Sequence, residues 1–127
     1  MSKQILVIDD DMMVRRSIEI ILAEAGYAVS AADSGVEGLK MFSEQLPHLV
    51  ITDIIMPDKD GVEVILELRK IWPGPILAIS GDGRTGRSGY LKAARRLGAS
   101  ATLAKPFEPS ELLLAVESCL APPTGAG

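Results

Sequence analysis

The sequence holds a single cysteine, Cys119, in 127 residues. No internal disulfide can form, and a reducing cytoplasm is the expected setting. Cys119 itself reads as a half-buried helix residue and not as a reactive thiol. Long apolar runs are also missing. The longest holds five residues, Leu112–Val116, against the roughly 20 that a membrane-spanning helix needs. Met1-Ser2-Lys3-Gln4 leads into a short apolar segment that stops at three aspartates, which does not suit a signal peptide. There is no excess of positive charge: 13 Lys and Arg face 17 Asp and Glu, a net −4. That argues against direct binding of a phosphate backbone and leaves a protein partner or a metal as the more natural ligand. The lone histidine, His48, stands in a loop beside Pro47, where a single imidazole is rarely a ligand. No repeat and no second core appears, so one domain is expected over 3–120, with 121–127 a flexible tail or the start of a linker.

What the chain does have is a regular alternation. Five short apolar runs recur: Ile5–Ile8, Ala28–Ala32, Leu49–Ile51, Ile76–Ile79 and Ala101–Ala104. The first, third and fourth are near-continuous Ile, Leu and Val, as in strands covered on both faces. Segments of helical period lie between and after them. Val14, Ile18, Ile21, Leu22 and Ala25 form one stripe, stopped by Gly26. Ser34 with Glu37 suggests a capping box for a helix facing inward through Val36, Leu39, Phe42 and Leu46. Asp60 is placed to cap a third helix carrying Val64, Ile65, Leu68 and Ile71, which Trp72 anchors and Pro73 ends. Leu91, Ala94 and Leu97 mark a fourth, ended by Gly98, and Pro109 opens a fifth with Leu112, Leu113, Val116 and Leu120 inward. Five strand–helix units joined by right-handed crossovers predict an α/β fold: a five-stranded parallel sheet, doubly wound and flavodoxin-like, in strand order 2-1-3-4-5.

In such a sheet the functional crevice lies outside the carboxyl ends of the strands, at the switch between strands 1 and 3. Strand 1 ends in Asp9, Asp10 and Asp11, strand 3 in Asp53, strand 4 in Ser80 and strand 5 in Lys105-Pro106. Strand 2 ends off to one side, in Asp33-Ser34. Asp11 reads as a helix cap. Like-charged carboxylates brought this close repel unless a cation joins them, and an all-oxygen donor set selects a hard ion such as Mg²⁺. A cation, the Lys105 ammonium and the Ser80 hydroxyl around Asp53 make a holder for a phosphoryl group, with Asp53 as nucleophile. Taken singly, an Asp-Asp pair or a Lys-Pro step is ordinary structure; the argument rests on all of them falling at the correct strand ends.

Leu6-Val7-Ile8-Asp9-Asp10, Asp53-Ile54-Ile55-Met56-Pro57-Asp58-Lys59-Asp60-Gly61 and Lys105-Pro106-Phe107 resemble the receiver domain of two-component response regulators, the CheY-like fold. The resemblance implies that Asp53 accepts a phosphoryl group from a sensor histidine kinase or a histidine phosphotransfer protein. It implies Mg²⁺ (or Mn²⁺) on Asp10, Asp53 and the backbone carbonyl of Ile55, with Asp9 acting mainly through a metal-bound water. Lys105 is implied to pair with a phosphoryl oxygen, its bond to Pro106 to be cis, and Ser80 to swing toward the phosphoryl group as a switch. Thr102 departs from the pattern, because the switch usually has an aromatic residue there. Ile55 and Asp82 occupy positions that influence phosphoryl lifetime. On this reading the protein is no conventional enzyme, although it catalyses its own phosphorylation and dephosphorylation. Its output passes to a downstream protein or to a C-terminal output domain.

Two other readings compete. Gly81-Asp82-Gly83-Arg84-Thr85-Gly86 is a literal G-x-G-x-x-G, but it follows the fourth strand and lacks the acidic partner that a dinucleotide site requires. The stretch 81–88 also approaches a P-loop, with Arg87 where lysine is needed. A degenerate receiver serving only as an interaction module is the other reading, opposed by the intact Asp10, Asp53 and Lys105. Met12 and Met13 suit packing or a partner contact. Arg15, Arg16, Arg95 and Arg96 read as solvated helix faces, the last pair also able to meet a partner.

Overall fold

The computed structural model describes residues 2–56, 61–81 and 89–121, with side chains in the last segment from 92 onward. The chain alternates β1 (Gln4–Ile8), α1 (Met12–Glu24), β2 (Ala28–Ala32), α2 (Gly35–Glu44), β3 (Leu49–Asp53), α3 (Gly61–Ile71), β4 (Ile76–Ser80), α4 (Gly89–Leu97), β5 (Ala101–Ala104) and α5 (Pro109–Leu120). All strand pairs are parallel, in the order β2-β1-β3-β4-β5. The predicted fold class and strand order hold.

The sheet carries a core on each face. Leu6, Ile8, Val50, Ile76 and Ala78 point to one side, against Phe42 of α2, Val64, Ile65 and Leu68 of α3, and Ala94 of α4. Ile5, Val7, Leu49, Ile51, Leu77 and Ile79 point to the other, against Ile18 and Leu22 of α1 and Leu112 and Val116 of α5. Period-2 alternation with both faces covered explains why these three strands read as unbroken apolar runs. The edge strands β2 and β5 are only partly buried, and their sequences are correspondingly poorer in large side chains.

Local signals set the helix ends. Asp11 caps α1 by accepting from the Met13 and Val14 amides at 2.9 and 3.3 Å. Ser34 supplies its half of the expected box on α2, accepting from the Glu37 amide. Gly26 and Gly98 stop α1 and α4 with φ of 96° and 126°, a left-handed conformation that glycine adopts without a Cβ penalty. Asp60, the predicted α3 cap, and most of 121–127 lie outside the described residues.

Several expected core positions turn outward. Val36, Leu46 and Ile71 are exposed, and Ala25 is an exposed C-cap. On α2 the expected Phe42 is buried and Leu39 packs against the core, and Gly35 and Gly38 join them on the inward face. Gly38 belongs there because a Cβ would stand 2.7 Å from Cγ1 of Ile8, so the helix sits close on β1 at that point. Leu46 and Ile71 fall at or past a helix end, where the chain leaves the layer. The side chain of Leu91 lies outside the described residues. Trp72 does anchor the end of α3, edge-on to Phe42 with ring centroids 5.2 Å apart. Cys119 is half-buried, and burial raises its thiol pKa, which keeps it protonated and inert. His48 is structural: its Nδ1 accepts the Gln4 amide at 2.9 Å, and its own amide bonds the Gln4 carbonyl.

Arg69 was not evident from sequence as a structural residue. Its guanidinium donates to the carbonyls of Trp72, Gly74 and Gly98, tying the α3 end to the α4–β5 turn. Hydrogen bonds made by a charged group contribute about 1.5–3 kcal/mol. Arg69→Met keeps the apolar stem and removes these bonds, so it should destabilise the fold by about 2 kcal/mol, read as a lower urea midpoint at unchanged slope. An unaltered midpoint would show that water replaces the guanidinium without cost.

Candidate functional site

Parallel strands all point the same way, so the residues that follow them gather at one end of the sheet. β1 and β3 are direct neighbours, with Ile8 opposite Thr52, which brings Asp9 beside Asp53. β4 and β5 follow in the same direction, with Ser80 opposite Ala104, and so bring Ser80 and Lys105 to the same end. Oxygens of Asp9, Asp10 and Asp53 lie within 4.8 Å of one another. The Lys105 ammonium stands 3.1 Å from Oδ2 of Asp9 and 3.4 Å from Oδ2 of Asp53. Asp9, Asp53 and Ser80 are buried, whereas Asp10 is exposed.

Asp9 is held on every side. Its amide bonds the Ala32 carbonyl, its Oδ1 accepts the Asp11 amide, its Oδ2 meets Lys105, and its carbonyl accepts Nη1 of Arg15 at 2.8 Å. Arg15, read from sequence as part of a solvated face, is therefore half-buried against the site. Arg16, Arg95 and Arg96 do lie exposed. Asp53 is fixed mainly through its main chain. Its carbonyl accepts the Thr52 hydroxyl at 2.9 Å, and the next amide, Ile54, bonds the Ile79 carbonyl of β4.

The electrostatics follow from this crowding. Burial, then the Asp9 charge, push Asp53 up to about 6 against the opposing pull of Lys105. Asp9 is also raised, chiefly by burial, although the Asp11 amide and Lys105 oppose it. Burial would lower Lys105, but the Asp53 and Asp9 carboxylates outweigh it and hold the ammonium charged. Lys105 thus pairs with two of the three clustered carboxylates, and burial together with the neighbouring acid makes Asp9 and Asp53 harder to ionise than free carboxyls. The donors are all hard oxygens, so this cluster can hold a divalent metal ion. An all-oxygen set of this kind fits Mg²⁺.

The remaining expected positions fall as follows. Ile55 lies two residues beyond Asp53 and is 44% exposed. Thr102 is half-buried in β5, in register with Ala78. The Lys105–Pro106 bond is cis. Met12 and Met13 are exposed at the rim, and Gly81 lines a groove with Lys105 and Phe107 between the starts of α1 and α5. Asp82 and the rest of the glycine-rich stretch to 88 lie outside the described residues.

Residues 5–117 match the response regulator receiver domain family. Among curated proteins, the chain is 32% identical to the chemotaxis protein CheY of Halobacterium salinarum, covering 94% of this chain and 98% of that one. It is 39% identical to the response regulator MprA of Mycobacterium ulcerans, covering 94% of this chain and 51% of MprA. The chain spans about half the length of MprA and of the ycf27 regulators it also matches. Among solved structures it superposes on a CheY-like receiver domain protein from Methanospirillum hungatei with a TM-score of 0.86, at 28% identity over 94% of each chain. The receiver domain of NtrX from Brucella abortus gives a TM-score of 0.85 at 30% identity, over 91% of this chain and 97% of that one. The chain belongs to the response regulator receiver domain family of two-component systems. Among the described residues no helix is long and apolar enough to cross a membrane.

Proposed function

We propose that Asp53 is the phosphoryl acceptor of this receiver, charged from a phosphohistidine on a sensor histidine kinase or a histidine phosphotransfer protein. The observation that carries the reading is a buried carboxylate facing a lysine ammonium at 3.4 Å, beside two further carboxylates at the end of one sheet. An oxygen of Asp53 attacks the phosphorus in line. The phosphorus–nitrogen bond breaks, its electron pair stays on the histidine, and an acyl phosphate forms. Lys105 neutralises one developing phosphoryl charge. Asp10, Asp53 and the Ile55 carbonyl would hold Mg²⁺ (or Mn²⁺), with Asp9 bound through water. The ion supplies the charge neutralisation that lets a phosphoryl group approach an acidic pocket. Hydrolysis of the acyl phosphate resets the domain.

Ser80 is assigned the switch. Its hydroxyl donates to the new phosphoryl oxygens, and that new bond at the end of β4 carries the signal away from Asp53. Thr102 has no ring to flip, so the signal must pass through the backbone and through packing of α4, β5 and α5. Met12 and Met13 at the start of α1 and Ile55 two residues after Asp53 are exposed apolar side chains that a donor protein could cover. We place the protein in the cytoplasm, with one receiver unit over 3–120 and output through a downstream protein or a further domain.

The test is chemical. With acetyl phosphate and Mg²⁺, intact mass should rise by one phosphoryl group, and Asp53→Asn should show no rise. An unchanged wild-type mass would favour the degenerate interaction module instead.

A further inference from the structure

The hydrogen bond from Arg15 to the Asp9 carbonyl is outside the chemistry just assigned. It joins α1 to Asp9, the first residue after β1. Asp9 and Asp10 share one peptide unit. Because that unit is planar, fixing the oxygen on one side fixes the amide on the other and the direction in which the Asp10 Cα leaves it. The Asp9 amide is already held by β2, and its side chain by Asp11 and Lys105. The Asp9–Asp10 peptide is held in turn by half-buried Arg15, through a 2.8 Å bond to its carbonyl. Asp10, by contrast, is exposed and meets the cluster from the solvent side.

We infer that Arg15 is a positioning residue that aims Asp10 at the metal site by holding the Asp9–Asp10 peptide. This rests on the reading of Asp9, Asp10 and Asp53 as the cation site. It makes a claim of sign that simple electrostatics opposes. Arg15 is a positive charge near an acidic cluster, so on charge alone its removal would tighten cation binding. If it positions Asp10, its removal loosens binding, because a ligand that must be ordered on binding costs affinity.

The experiment is calorimetric titration of MgCl₂ into wild type, Arg15→Met and Arg15→Lys, each first checked for folding by metal-free urea denaturation. Met keeps the aliphatic stem without a donor, and Lys keeps a charged donor. The expected result is about a tenfold weaker Mg²⁺ Kd for Arg15→Met, in the range typical of residues that orient metal ligands, with Arg15→Lys recovering most of it. Acetyl phosphate uptake at saturating Mg²⁺ should then be nearly restored in Arg15→Met. A Kd for Arg15→Met equal to or tighter than wild type would overturn the inference. Failure of wild type itself to bind Mg²⁺ would instead overturn the cation-site reading on which it rests.

Discussion

Asp53→Asn should raise the stability of the metal-free protein at pH 7 by about 3 kcal/mol while abolishing phosphoryl uptake. The displacement of Asp53 from 3.8 to about 6 corresponds to that amount, since one pH unit is about 1.4 kcal/mol. The sign follows from which state binds the proton more tightly. A carboxyl with a raised pKa in the folded protein favours folding when protonated. That contribution is complete below about 3.8 and is lost as pH rises through about 6. Metal-free wild type should therefore gain stability between pH 7 and pH 5, opposite to a carboxylate whose pKa is depressed by folding, and Asp53→Asn should lack that gain. Mg²⁺ should close the gap from the other side. At 100 times its Kd, a ligand specific for the folded state adds about 2.7 kcal/mol, and the variant, missing one ligand, should gain much less. Urea denaturation at pH 5, 6, 7 and 8, with EDTA or with Mg²⁺, measures all of this. Wild type and variant with superimposable pH profiles would show that Asp53 is not under strain from its neighbours.

Gly61→Ala should be the most damaging single-methyl change at the site. A Cβ on Gly61 would stand 2.7 Å from the Ile54 Cα and 2.9 Å from the Asp53 carbonyl carbon, and nearer still to the Asp53 oxygen. All three are backbone atoms, so no rotamer change relieves the contact. Either α3 moves away from β3 or the end of β3 shifts. Inserting a methyl where the surroundings cannot yield costs about 3 kcal/mol. A displaced Asp53 also loses its alignment to Lys105, and misplacement of about 1 Å slows a positioned reaction about a hundredfold. Gly38→Ala is the control. Its Cβ meets only side-chain atoms of the buried Ile8, which can yield in part where backbone cannot, and alanine regains about 1 kcal/mol of helix propensity. Gly38→Ala should therefore cost much less and leave acetyl phosphate uptake intact. Equal losses in the two variants would mean that close helix packing in general, and not the contact with Asp53, is what Gly61 protects.

These two cases mark where sequence reading stops. The glycine and the aspartate are both visible in the run from Asp53 to Gly61. What one does to the other depends on a distance between the first turn of α3 and the end of β3. The same holds for helix faces. Period alone put Val36, Leu46 and Ile71 inward. Burial is decided by where each helix ends and how closely it sits on the sheet, and these three were left outside. A helical arginine is usually solvated, so helical period gives no sign that Arg15 turns toward the site. Its partner, a main-chain carbonyl at the end of β1, carries no sequence signature.

The sequence by itself determined the class of fold and the membership of the site. Unbroken Ile, Leu and Val runs demand a sheet covered on both faces, alternation with helical stripes demands parallel strands, and parallel strands place every strand-end residue at one edge. Asp9, Asp10, Asp53, Ser80 and Lys105 had to meet there once the strand order was 2-1-3-4-5. Only the tertiary structure decided how they meet. Lys105 lies 96 residues from Asp9 and 3.1 Å from its carboxylate, and the raised pKa of Asp53 comes from burial and from neighbours distant in the chain. Charge, desolvation and packing act through space, so their strength at this site became readable only when the separations were known.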